Sequence, residues 1–223
     1  MKRALLLVGS PKPSGSASET IGTYLMQQLA SRGFETATAH LHRSVRSPGS
    51  LDELGCLVDD CDVIVLAAPL YVDSLPAPVI RAFEVLAARR GPSDAHTKPR
   101  LLAIVNSGFP ESFQSDTAIA ICRLFARDAQ FDWAGGFRVG GGGVVGSKAL
   151  AEARGPAKRL AQGLALAAAA LASGLPVPKE AFDLADRPMM PIRLYAFVGD
   201  LSMRWEAYRK GVYSRIKDRP YAP

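Results

Sequence analysis

Sulfur and imidazole are scarce in this chain of 223 residues, which holds three cysteines (Cys56, Cys61, Cys122) and three histidines (His40, His42, His96). The cysteine count is odd and includes no Cys-x-x-Cys pair. That argues against a disulfide framework, a structural zinc site and a cysteine-ligated iron–sulfur cluster, and leaves buried free thiols as the expectation. The "HLH" of residues 40–42 sends two imidazoles to one side of a strand. No carboxylate or third ligand accompanies them in the sequence, so they read as a solvated pair near a strand end, and no metal is expected. A Ser-His-Asp set and a working pair of carboxylates are missing as well.

Long hydrophobic runs are also absent. Met1-Lys2-Arg3 leads into a short apolar run that Gly9, Ser10 and Pro11 cut off, which is less than a signal peptide needs. The most apolar later stretch, "LAQGLALAAAALASG", is too short and too Ala-rich to span a bilayer, which takes about 20 residues. A cytoplasmic protein with no transmembrane segment is the expectation. With 48% hydrophobic and 22% charged residues, the chain has the composition of one large globular domain. The formal charge of +6 is uneven: eight Lys/Arg face three Asp/Glu between Arg187 and Arg219, a net +5. Such basicity suits an anionic ligand, an acidic partner or a membrane surface. No aromatic-interleaved basic stripe or helix-turn-helix pattern accompanies it, so no nucleic-acid partner is expected.

What the chain does contain is alternation. "RALLLVG" (3–9) reads as a buried strand, and "SETIGTYLMQQLASRG" (18–33) as a helix with Ser18 as N-cap and Gly33 as its stop. "FETATAHL" follows as a half-exposed second strand, "SLDELGCLVDDC" as a short helix and "DVIVLAAP" (62–69) as the strongest strand. Next come a helix in "APVIRAFEVLAARRG", a strand in "KPRLLAIVNSG", a helix in "DTAIAICRLFARDAQ" and a strand in "FDWAGGFRVGGGG". A long helical stretch, "SKALAEARGPAKRLAQGLALAAAALASG", is broken at Gly155-Pro156. Five strands alternating with helices, three of them continuously apolar, describe a parallel sheet covered on both faces. Beyond residue 175 a Pro-rich loop leads to a last helix, whose apolar positions Val198, Leu201, Trp205, Tyr208, Val212 and Ile216 recur every three or four residues. Residues 1–175 are therefore expected as the domain and 176–223 as an appendage to it.

In an open parallel sheet, ligands bind beyond the carboxyl ends of the strands, where strand order reverses. The loops leaving strands one, three and four are "GSPKPSGSASE", "APLYVDSLPAP" and "NSGFPESFQSD". In the first, hydroxyls (Ser10, Ser14, Ser16, Ser18), one cation (Lys12) and the start of a helix meet the needs of a phosphate. A Ser/Gly turn that only caps the helix remains the alternative. In the second, Tyr71 lies just past the strand, placed either to stack on a flat ring or as an ordinary surface tyrosine. In the third, Asn106, Ser107, Gly108 and Phe109 form either a ligand wall or a tight turn before the next helix. Gly141, Gly143 and Gly146 satisfy G-x-G-x-x-G, but no further βαβ unit follows them, so a flexible glycine loop is expected rather than a dinucleotide site.

Together, "VGSPKPSGSAS", "DVIVLAAPLYVDSLPAPVIRAFE" and "IVNSGFPE" resemble the flavodoxin-like family of NAD(P)H-dependent FMN reductases, over roughly residues 1–175. The resemblance implies a flavodoxin-like three-layer α/β sandwich with a five-stranded parallel sheet in the order 2-1-3-4-5, extended here by a C-terminal helix. It implies an FMN phosphate held by Ser10, Lys12, Ser16 and Ser18, and an isoalloxazine lined by Pro69, Leu70, Tyr71 and Val72. Asn106, Ser107, Gly108 and Phe109 would close its other edge. Family members often carry Arg or a longer basic stretch where this chain has Lys12-Pro13. The implied activity is hydride transfer from NADH or NADPH through FMN to a quinone, a nitro or azo compound or a second flavin, with no catalytic residue beyond the flavin. A flavodoxin-type one-electron carrier and a flavodoxin-shaped module that binds no flavin are the alternatives. The last helix packs on its own domain, makes a homodimer or meets anionic lipid.

Overall fold

The computed structural model describes residues 1–90, 98–142, 150, 154–189 and 191–218. His96, Gly143 and Gly146 lie outside these residues. Five strands, β1 (Arg3–Val8), β2 (Glu35–His40), β3 (Val63–Pro69), β4 (Arg100–Asn106) and β5 (Asp132–Val139), form one parallel sheet in the order β2-β1-β3-β4-β5. This is the flavodoxin-like order implied by the resemblance, with the direction of winding reversing between β1 and β3.

Apolar runs become a double-sided core because side chains alternate across a strand. Leu6, Val8, Val65, Ala67, Leu102 and Ile104 face one layer, made of α1 (Ala17–Ala30), α6 (Pro156–Ala172) and α7 (Lys179–Asp186). Leu5, Leu7, Ile64, Leu66, Leu101 and Val105 face the other. That layer is built from α2 (Leu41–Ser44), α3 (Pro48–Asp59), α4 (Ala77–Arg90) and α5 (Asp116–Asp128). Burial of each leucine, isoleucine or valine among them contributes about 1.5–3 kcal/mol.

Several expectations need correction. Helix α1 is capped by Ser16, whose hydroxyl accepts the Glu19 N–H at 3.1 Å, and not by Ser18; Gly33, at φ 88°, is its stop as expected, donating to the Ala30 carbonyl at 3.0 Å while the Phe34 N–H reaches that of Leu29. Strand β2 shows no clean alternation: residues 35–38 are all exposed, because β2 is an edge strand with little packed over it. Cys56 is exposed, whereas Cys61 and Cys122 are buried. Burial pushes the Cys61 thiol up to about 11 and the Cys122 thiol up to about 12.

The stretch after 175 turns back onto the sheet instead of leaving it as a loop. In α7, Ala181 and Ala185 are buried, and the Phe182 ring lies 4.9 Å from that of Phe137 on β5. Arg138 of β5 donates to both carboxylate oxygens of Asp186 and, at 2.6 Å, to Asp116 of α5. The edge at β5 is thereby covered. The first compact unit runs from Met1 to Met189.

The second unit, Met190–Pro223, holds α8 (Ile192–Arg209) and a 3-10 turn at Tyr213–Arg215. Helix α8 stops at Arg209, and Gly211 at φ 68° turns the chain, so Val212 and Ile216 fall outside the helical stripe expected of them. Among the described residues no helix is long and apolar enough to cross a membrane.

Candidate functional site

The strand ends that bracket the reversal point are β1 and β3, and the loops that follow them carry the candidate residues. After β1, the N–H of Gly9 donates to Ala67 of β3 at 2.8 Å, so the loop leaves the sheet still in register with its neighbour. Ser10 and Ser16 are buried, and residues 11–15 are exposed. The Lys12 amide donates to Ser10 Oγ at 3.3 Å, and Lys12 Nζ to the Gly15 carbonyl at 3.2 Å, which folds the ammonium group over the loop. Helix geometry leaves the amides of Ala17 and Ser18 without intrahelical partners. Hydroxyls, one ammonium group and those amides make a donor set that fits a phosphate.

One acid stands at this helix end. Glu19 Oε2 accepts the Gly15 N–H at 2.8 Å while Ser16 holds the Glu19 amide, a variant of the capping box. The spacing Ser16-x-x-Glu19 was readable in the sequence and marks the true start of α1. Glu19 Oε1 also lies 3.7 Å from His40 Nε2. His40 and His42 are half-buried, with rings 5.8 Å apart, so they are neither fully solvated nor without a carboxylate.

Ser18, expected as the cap of α1, makes a different bond. Its side chain is buried and donates to Asn106 Oδ1 at 2.6 Å, across the sheet from α1 to the end of β4. The Asn106 carbonyl in turn accepts the Leu70 N–H at 2.8 Å. Asn106 thus ties all three candidate loops to one residue, itself buried.

Past β3, Tyr71 and Ser74 exchange two backbone hydrogen bonds, at 2.9 and 3.0 Å, around a two-residue tip. Both tip residues have positive φ, 47° at Val72 and 59° at Asp73, as a type I′ turn requires. Asn-Gly is the usual choice there, and a β-branched residue in that region is strained. Val72 is 96% exposed and Tyr71 49%, so an apolar tip projects beyond the strand. The Tyr71 N–H is occupied by Ser74 and is not available to a flavin ring; the amides of Val72 and Asp73 lie at the tip instead. Pro69 and Leu70 are half-buried beneath it.

Past β4, Ser107 is buried and donates its N–H to Val139 at 2.9 Å and its hydroxyl to the Phe109 carbonyl at 3.2 Å. Gly108 and Phe109 are exposed. The glycine run that follows β5 supports this loop from behind. Gly142 donates to the Ser107 carbonyl at 2.7 Å and Gly141 to that of Phe109 at 2.6 Å. A Cβ at Gly140 would sit 2.4 Å from the Pro110 oxygen, and one at Gly142 2.9 Å from Asn106 Nδ2. These glycines serve close approach, a role that spacing alone does not reveal; Gly143 and Gly146 of the G-x-G-x-x-G lie outside the described residues.

The sequence model of the NADPH-dependent FMN reductase family matches residues 2–116, which include all three loops. A search of curated proteins gives no match. Among solved structures, the fold is similar to an NADH:FMN oxidoreductase in its apo form, at 14% identity and TM-score 0.59, covering 86% of this chain and 97% of that one. It is also similar to an FMN-dependent NADH-azoreductase from Bacillus anthracis bound to FMN (14% identity, TM-score 0.56, 77% and 100% covered). An NAD(P)H:quinone oxidoreductase from Methanothermobacter marburgensis gives 15% identity, TM-score 0.55 and coverage of 77% and 98%. With the family model spanning more than half its length, the chain belongs to the NADPH-dependent FMN reductase family, NAD(P)H-dependent flavin oxidoreductases whose cofactor is FMN.

Proposed function

We propose that the three loops gathered at Asn106 form the FMN site, and that the enzyme passes reducing equivalents from NADH or NADPH to a small planar acceptor: a quinone, a nitro or azo compound, or a second flavin. FMN, when bound, supplies the hydride-accepting and electron-donating chemistry. The chain's own residues bind and orient. Ser10, Ser16 and the amides of Ala17 and Ser18 hold the phosphate, and Lys12 offsets its charge. Ser18 acts through Asn106, keeping the phosphate loop and the ring loop at a fixed separation. Pro69, Leu70, Tyr71 and Val72 line one side of the flat ring, and Ser107, Gly108 and Phe109 the other. The exposed apolar surfaces of Tyr71, Val72 and Phe109 favour a flat, weakly polar acceptor stacked in the open. The proposal includes a homodimer working in the cytoplasm.

The observation that carries this reading is the Asn106 hub, with its 2.6 Å bond to Ser18 and 2.8 Å bond from Leu70. A carrier of the flavodoxin type would hold FMN equally well but would not oxidise NAD(P)H; the usual acidic surface of such carriers contrasts with the +6 charge here. The test is a visible spectrum of the purified protein, repeated after adding FMN and removing the excess, followed by NADH and NADPH oxidation with menadione as acceptor. Flavin bands with turnover support the proposal, flavin bands without turnover point to the carrier, and a protein that refuses FMN overturns both.

A further inference from the structure

Helix α8 has none of its residues buried. Phe197 (64%), Leu201 (58%), Trp205 (63%) and Tyr208 (68%) are mostly exposed, with Leu194 and Val198 beside them at nearly half. Most of a helix's stability in a protein comes from packing an apolar face, so an exposed stripe of this kind calls for a partner. At 3.6 residues per turn these six side chains fall in one stripe about 100° wide. Arg204 and Arg209 flank it, and Asp200 and Glu206 are already paired with Arg204 (2.8 Å) and Lys210 (2.7 Å).

Five of the six side chains are related by an internal symmetry. Reversing the helix about Leu201 brings Leu194 onto Tyr208, seven positions to either side, and Phe197 onto Trp205, four to either side, while Leu201 meets itself; Val198 falls opposite Arg204, whose stem can cover it while its head stays paired with Asp200. An isologous two-fold contact requires this self-complementarity, because the same patch must serve both partners. A bilayer or an unrelated protein imposes no such condition. The area also suffices. Three aromatic side chains at about 150 Å² each, with the half-exposed aliphatic ones, leave roughly 700 Å² per copy, within the range of about 600–1,000 Å² per partner of a standard interface.

We propose that α8 is a contact between two copies of this chain, in which the helices pack antiparallel across a two-fold axis at Leu201. Phe197 of each copy packs on Trp205 of the other, and Leu194 on Tyr208. The two arginines flanking each stripe stay at the solvated rim, where salt screens their mutual repulsion. This gives the homodimer of the proposed function its contact, and flavin content measured on the same samples keeps a failed dimer distinct from a failed flavin site.

The test uses the full-length protein. Light scattering at 10 μM is expected to give twice the chain mass for the native protein and for Leu201→Met, and the single chain mass for Leu201→Glu. Orientation is read with spin labels on Ser202→Cys and Arg209→Cys in a Cys56→Ser background, the buried Cys61 and Cys122 thiols staying protonated and unlabelled. The Arg209 labels, offset by about 24 Å along antiparallel axes, should report a clearly longer distance than the Ser202 labels. Equal distances at both positions mean a parallel pair and overturn the proposal. So does a native monomer, whether or not it sediments with phosphatidylserine vesicles, and so does a dimer that persists in Leu201→Glu.

Discussion

The two ends of the sheet are built from the same five strands and finished in opposite ways. At the amino ends charges close on one another. The Arg3 guanidinium pairs with Glu35 at 3.1 Å and Asp60 at 3.5 Å, its amide donates to Asp62 at 2.7 Å, and Arg100 and Lys2 donate to the carbonyls of Leu175 and Ala172. Nearby, the fully buried Arg90 is held by Asp59 at 2.5 Å, by the Ala129 carbonyl and by the Phe131 ring face. At the carboxyl ends of β1, β3 and β4 the loops are mostly serines, glycines, prolines and exposed rings, with Lys12, Glu19, Asp73 and Glu111 as their scattered charges. The first end pairs most of its charges with one another or with carbonyls, although Arg100 Nη1 has no partner. The second ties its loops at the buried Asn106 and leaves helix-end amides and exposed aromatic faces at its rim. A binding edge differs from a structural edge in what it leaves unpaired.

That contrast can be broken deliberately. Asp59→Ala removes the carboxylate beside a buried guanidinium and is expected to lower stability by about 3 kcal/mol, read in urea melts, with FMN affinity unchanged. A matching loss of FMN affinity would show that the two ends are not independent. Ser16→Asp does the converse. Aspartate is as good an N-cap as serine, so melting should not move, while the added negative charge weakens FMN by about a hundredfold or more in fluorescence titrations. Unchanged affinity there places the phosphate elsewhere. Asn106→Ala should blur the two classes, costing about 2 kcal/mol because the Ser18 hydroxyl loses its buried partner, and weakening FMN about tenfold. An affinity change with no stability change would sink the hub. The smallest effect is expected from Val72→Gly, which relieves positive φ at the tip and stabilises by about 0.5–1 kcal/mol. Its cost should appear in the acceptor KM.

The sheet was legible because β1, β3 and β4 are continuous apolar runs ended by Gly, Pro or Asn, and the strand order followed from the resemblance those runs and their loops carry. The three loops were legible by position. What escaped was contact between them. Ser18 reads as a cap in one dimension, since Ser16 and Ser18 fit the same pattern, and only the sheet brings Asn106 to its hydroxyl. The capping-box spacing Ser16-x-x-Glu19 distinguishes the two serines, and the hydrogen bonds of Glu19 to Gly15 and Ser16 show which one caps. Helix α7 was hidden in a Pro-rich stretch because eight residues carry too little periodicity, and its burial rests on β5. The glycines after β5 gave a familiar spacing for an unfamiliar reason, since steric crowding by Pro110 and Asn106 leaves no mark on composition.

The tip at Val72 has a consequence for how this chain can change over generations. Selection for folding alone would replace a strained, solvent-facing valine by glycine or asparagine. A library varied at residue 72 and passed through growth that demands only soluble protein should therefore drift toward those two residues. The same library passed through growth that depends on turnover should hold a branched apolar side chain, and the gap between the two outcomes measures what that side chain does for the reaction.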